Sequence, residues 1–220
     1  MNPALFSAPE WLFAKGLVAG FLLAVGTVSG TVWLVQSRQV LGASAAFRVG
    51  VSLVLALGFW AAVAMALTGW LRDHASAVLW GVRGIGGLVL GYVALRVGRA
   101  RRADTLHPDL PEAQRRNPGW NTWVYAVLMP LRLTLMLAMI MATGAFWHGM
   151  GMDRVILWTL GVLFGAFVWW GFLFFLAVLF GQRVEEAITL RSLNKLHVLI
   201  PAVYGILSLT TLFPFVILLR

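Results

Sequence analysis

An arginine, Arg132, stands inside a run from Val127 to Phe146 that is otherwise almost wholly apolar. A guanidinium can grip a carboxylate or phosphate through two parallel N–H···O bonds, and a low-dielectric setting strengthens that grip. Pro130, two residues earlier, has no N–H and clashes with the carbonyl four residues back, which predicts a kink and freed backbone groups. Met129, Met136 and Met139 fall on the same helical stripe as Arg132 and give it an apolar, adaptable wall. A second irregular stretch, Gly26-Thr27-Val28-Ser29-Gly30-Thr31, offers hydroxyls and backbone groups from Thr27, Ser29, Gly30 and Thr31. Each feature also has a structural reading. Arg132 can satisfy carbonyls freed at either break or snorkel to the surface. The Ser and Thr hydroxyls can bond the preceding turn of their own helix.

The remaining polar residues narrow the chemistry. All eight Asp and Glu residues lie in loops, termini or the edges of apolar runs, so neither a paired-carboxylate hydrolase nor a cation pump built on buried acids is supported. His74 and His107 fall in loops and His148 and His197 at run ends, with no ligand spacing to carboxylates, and no metal or other cofactor is expected. Cysteine is absent, which removes disulfides and thiolate chemistry. No nucleophile–base constellation emerges, and the chain does not read as an enzyme.

The elements that must hold these residues are membrane helices. The 220-residue chain is 60% hydrophobic and 11% charged, with mean hydropathy +0.86, against about 45–50% and about 25% for ordinary soluble domains. Six apolar runs, near 13–36, 47–71, 77–97, 122–147, 155–181 and 197–219, can each cross about 30 Å of hydrocarbon. Tryptophans at their ends fit an interfacial belt, while Trp33, Trp60, Trp169 and Trp170 lie deep enough to line a cavity. Six crossings put Lys15, Arg72, Arg154 and Arg220 on one side. The larger basic set, including Arg38, Arg48, Arg96, Arg99, Arg115 and Arg116, falls on the other. The positive-inside rule then places both termini outside and the long central loop in the cytoplasm, and it accounts for the net charge of +9 without a nucleic-acid partner. Arg83, about one turn inside the third run, reads as interfacial.

The expected architecture is therefore an all-α integral membrane protein. Residues 1–98 and 122–220 form two three-helix halves, and residues 99–121 a cytoplasmic linker. Residues 183–195 carry the pattern of a short interfacial helix. Two three-helix halves joined by one loop must face opposite ways, the inverted-repeat plan of many transporters, whose sites lie where the leading helix of each half is interrupted. Here the interruptions are the Thr27–Thr31 stretch and Met129-Pro130. Glycine pairs at four-residue spacing (Gly16/Gly20, Gly26/Gly30, Gly87/Gly91, Gly161/Gly165) predict close helix contacts, either within the bundle or across a homodimer.

Several stretches resemble the lysine/threonine-exporter (LysE/RhtB) superfamily of bacterial amino-acid efflux proteins. They are Arg83-Gly84 through Gly91-Tyr92 to Arg96, Ser37-Arg38 with Gly42, and the run into Gly181-Gln182-Arg183 with Leu193-Asn194-Lys195. The chain departs from that family's Pro-Gly-Pro break, where it has Val28-Ser29-Gly30. It departs also from the family's Asn-Pro, where Met129 precedes the proline, and from an acid in the second span, where Phe59-Trp60 stands. The resemblance implies a multi-pass exporter of the bacterial inner membrane. Its substrate would be a small amino acid or related carboxylate, with Arg132, Pro130, Met129, Met136 and the Thr27–Thr31 stretch at the site. The altered motifs leave open a second expectation, a non-transporting accessory or scaffold protein that kept the exporter fold.

Overall fold

The computed structural model describes residues 9–74, 76–99, 112–129, 131–145, 151–179, 201–209 and 211–212. The described residues are helical and contain no strand. In order they form α1 (Pro9–Gly26), α2 (Val28–Leu41), α3 (Ala43–His74), α4 (Ser76–Arg99), α5 (Glu112–Arg116), α6 (Pro118–Val127), α7 (Leu131–Ala142) and α8 (Met152–Leu179). Residues 201–209 and 211–212 are also helical. Pro130, the central loop up to residue 111, His107, His148, His197 and the segment 183–195 lie outside the described residues.

Two of these helices have membrane-spanning character unaided: Ala43–Arg72 within α3 and Met152–Leu179. At 1.5 Å per residue each is longer than the roughly 30 Å of hydrocarbon it has to cross. The pairs α1/α2 and α6/α7 reach that character only when each is taken as one bent span, with bends of 64° and 65°. Trp80–Leu95 in α4 is a shorter apolar helix. The protein is thus membrane-embedded, with up to four spans carried by these elements.

Element ends depart from the sequence reading where polarity and helicity part company. The first run loses its apolar character at Gln36-Ser37-Arg38-Gln39, yet α2 continues through them to Leu41. A helix is free to leave the hydrocarbon without unwinding. It stops at Gly42, whose φ of +92° and ψ of 179° suit glycine alone, and α3 starts at the next residue. The expected ten-residue connection is therefore one residue. The linker likewise ends in structure: Asn117 caps α6 by accepting from the Trp120 N–H at 3.4 Å, with Pro118 at the first helical position.

Close packing rests on the glycines. α1 and α8 run side by side in the same direction, with a Cβ at Gly16 falling 2.5 Å from the Trp158 carbonyl oxygen and one at Gly20 2.2 Å from that of Val162. Reciprocally, Gly161 and Gly165 lie against the Phe13 and Leu17 carbonyls. Where lipid removes any hydrophobic drive between helices, such backbone approach supplies the van der Waals contact. Gly87 and Gly91 receive Leu212, Thr211 and Ser208, and the Ser208 hydroxyl donates to the Gly87 carbonyl at 2.7 Å. These seams lie inside the chain, so a homodimer would have to use other faces.

α3 is the central post. It packs on α2, α6 and α8. Phe47 meets Phe174 edge-on at 5.8 Å, and Gly58 sits against Leu163, so α3 and α8 are antiparallel. Gly119 lies beside Arg48 and Ser52 at the opposite end from Trp60 and Ala126, so α6 runs parallel to α3. α4 packs on α7. Lys15 ties α1 to the far end of α7 by donating to the Gly144 carbonyl at 3.5 Å, where a cation also suits the negative end of that helix.

Candidate functional site

The first break is a single non-helical residue whose hydrogen bonds are all accounted for locally. At Thr27 the backbone N–H reaches only the third carbonyl back, Ala24, at 3.2 Å. The Leu23 carbonyl that a continuous helix would have paired with it is instead served by the Thr27 hydroxyl at 2.7 Å. The Thr31 hydroxyl and N–H both turn to the Thr27 carbonyl, at 3.5 and 3.2 Å. The hydroxyls of Thr27 and Thr31 are therefore engaged in holding the bend, which is the structural reading of their sequence pattern. Gly30 is buried, and a Cβ there would sit 3.1 Å from Leu53, so the start of α2 lies directly on α3. The Ser29 side chain lies outside the described residues.

Tyr204 enters at this bend. A Cβ on Gly26 would come 2.0 Å from its hydroxyl oxygen, and the ring is buried at 3% exposure. Nothing in the sequence pattern pairs these two distant residues, and the contact emerges only from the fold.

The second break falls at Leu128 and Met129, between α6 and α7. The last turn of α6 closes with the Leu128 N–H donating to Val124 at 2.9 Å, and α7 begins with Arg132 N–H donating to Met129 at 3.1 Å. A proline at 130 has no N–H to give the Ala126 carbonyl, its partner in a continuous helix. That carbonyl is met from α3: the Trp60 indole N–H donates to it at 3.4 Å. Trp60, within the second apolar run, thus supplies a donor to the bend.

Arg132 is consequently not needed at Ala126, nor does it snorkel. It is 8% exposed, and its Nη1 has no hydrogen-bond partner among the described residues. Leaving a buried charged donor unmatched is expensive, which marks the position as one that awaits an acceptor. Met136 and Met139 are fully buried on the face it shares, and Met129 is half-buried at the break itself. Tyr125, in the last turn of α6, carries the bend's contact to the first bent helix. Its ring meets Trp33 of α2 edge-on at 4.7 Å, linking the strand of chain after the first bend to the one before the second.

Both bends thus lean on α3, one at Leu53 and one at Trp60. Seven residues of helix separate those supports by about 10 Å. At each bend a helix begins, α2 at Val28 and α7 at Leu131, presenting first-turn N–H groups and the positive end of a helix dipole.

Comparison with protein-family models, curated proteins and solved structures finds no match.

The other residues singled out above have structural employment. Arg83 lies over the Trp80 ring at 5.6 Å and its Nε donates to the Thr211 carbonyl at 3.2 Å, stitching α4 to the last described helical residues. Trp169 packs edge-on against Phe21 at 5.8 Å. Among the described residues, no His, Asp or Glu group is placed to hold a metal ion.

Proposed function

We propose that this protein is a secondary transporter of the bacterial inner membrane that exports a small amino acid or related carboxylate-bearing metabolite. The single observation that carries the reading is Arg132: a buried guanidinium whose Nη1 has no partner among the described residues, one residue into the helix that follows a bend. The substrate carboxylate would supply the missing acceptor, with the first turn of α7 beside it and Met129 and Met136 against its apolar part.

Six spans in two inverted three-helix repeats, with both termini outside, fit the packing. The leading helix of the first half, α1, lies parallel on the middle helix of the second, α8. The leading helix of the second half, α6, lies parallel on the middle helix of the first, α3. That exchange is the one an inverted repeat produces, and the two leading helices are also the two that bend. The resemblance to amino-acid exporters points the same way.

Flux in proteoliposomes with a panel of amino acids and simple carboxylates tests the proposal. Wild type moves at least one of them, and Arg132→Met lowers that flux by about 100-fold, the loss of one or two charge-assisted hydrogen bonds. No flux for any compound, or full flux in the variant, overturns it. The second reading, a non-transporting accessory protein, is favoured by the confinement of every acid to loops and edges, which leaves no evident proton carrier within the spans. A stoichiometric partner recovered in mild detergent, with no flux, supports that reading instead.

A further inference from the structure

Between α3 and α8, away from both bends, lies a groove of about 350 Å³. Phe47 and Phe174 stand at one end, Val54 and Phe167 at the other, with Trp170 and Gly171 in the wall between. Every lining residue is apolar or glycine, and the walls are the two helices that reach membrane-spanning character unaided. The medium outside the groove is therefore lipid hydrocarbon. Phe47 and Phe167 are more than half exposed and form open rims rather than a sealed core.

Charge at one end selects among lipids. Arg48 follows Phe47 directly, is exposed, and its Nε donates back to the Ser44 carbonyl at 3.4 Å, which carries the guanidinium toward the start of α3, beyond the groove's end. Arg38, in the last turn of α2, lies across the one-residue connection from that same helix start.

We propose that the α3/α8 groove is a binding site for one anionic phospholipid, its acyl chain between Phe47, Phe174 and Phe167 and its phosphate at Arg48. The site is independent of Arg132 and of transport. Arginines at the membrane surface favour anionic headgroups modestly, so the preference for phosphatidylglycerol over phosphatidylcholine is about five-fold.

The test uses the full chain in detergent, exposed to mixed phosphatidylglycerol and phosphatidylcholine, with retained lipid counted by native mass spectrometry. Wild type keeps one phosphatidylglycerol. Gly171→Leu fills the groove, where an added Cβ meets only Phe167 at 4.0 Å, and loses it. Gly205→Leu adds the same bulk where nothing lies within 4 Å, and keeps it. Arg48→Gln keeps a lipid but loses the headgroup preference. Equal retention by wild type and Gly171→Leu, or no headgroup preference in wild type, overturns the proposal. A photoactivatable phosphatidylglycerol on unaltered protein checks the location: label concentrated on peptides containing Phe47 or Phe174 supports the site, and label spread evenly over the exposed faces of α3 and α8 overturns it.

Discussion

Arg132 and Trp60 divide between them the two tasks that a bent membrane helix sets. Trp60 meets a carbonyl that lost its donor, and Arg132 holds a buried donor with no acceptor among the described residues. Replacing Arg132 by Met removes a buried charge and keeps the volume, so a detergent melt of Arg132→Met rises, by about 2–3 kcal/mol, while flux falls. Trp60→Phe strips the Ala126 carbonyl of its partner and lowers stability by about 1–3 kcal/mol. In a Pro130→Ala background the returned N–H serves that carbonyl, and the same Trp60→Phe change becomes nearly neutral. A double-mutant cycle measures the difference directly. Arg132 and the Met136/Met139 face were legible in the sequence because a lone charge in an apolar run is conspicuous. Trp60, Tyr125 and Tyr204 were not, because their roles depend on partners on other helices, 66 residues away in the case of Trp60 and Ala126.

Among the helices, the glycine seam between α1 and α8 bears the tightest contacts. A methyl at Gly20 would lie 2.2 Å from the Val162 carbonyl oxygen, so Gly20→Ala forces the helices apart and costs about 1–3 kcal/mol. Gly205→Ala meets nothing within 4 Å and is neutral or stabilising by up to about 1 kcal/mol, since alanine is the better helix former. Thermal melts of the two variants side by side check both signs. Four-residue glycine spacing announced these seams, and hydropathy announced both bends, since Pro130 and the Thr27–Thr31 stretch interrupt otherwise apolar runs. The extent of α2 and the one-residue turn at Gly42 escaped notice because hydropathy reports where lipid ends, not where a helix does.

The basic residues fall unevenly along the chain, and the orientation proposed from that asymmetry can be measured. The chain has no cysteine, so single cysteines report sidedness without background. Asp153→Cys, before α8, reacts with an impermeant maleimide in intact cells. Arg116→Cys, before α6, reacts only after the membrane is opened. The reverse pattern overturns the outside placement of both termini. The overall plan of apolar helices was visible in composition alone. Which helices touch was not, since packing partners in lipid are chosen by shape at a few small residues rather than by hydrophobicity.

The bend at Thr27 has one more consequence. α1 is fastened to α8 and α2 to α3, and α3 itself packs on α8, so both pieces of this helix are held in one block and the bend is a fixed corner of it. The Thr27 hydroxyl carries the carbonyl that the corner would otherwise strand, so the chain changes direction there without leaving a bare polar group in oil.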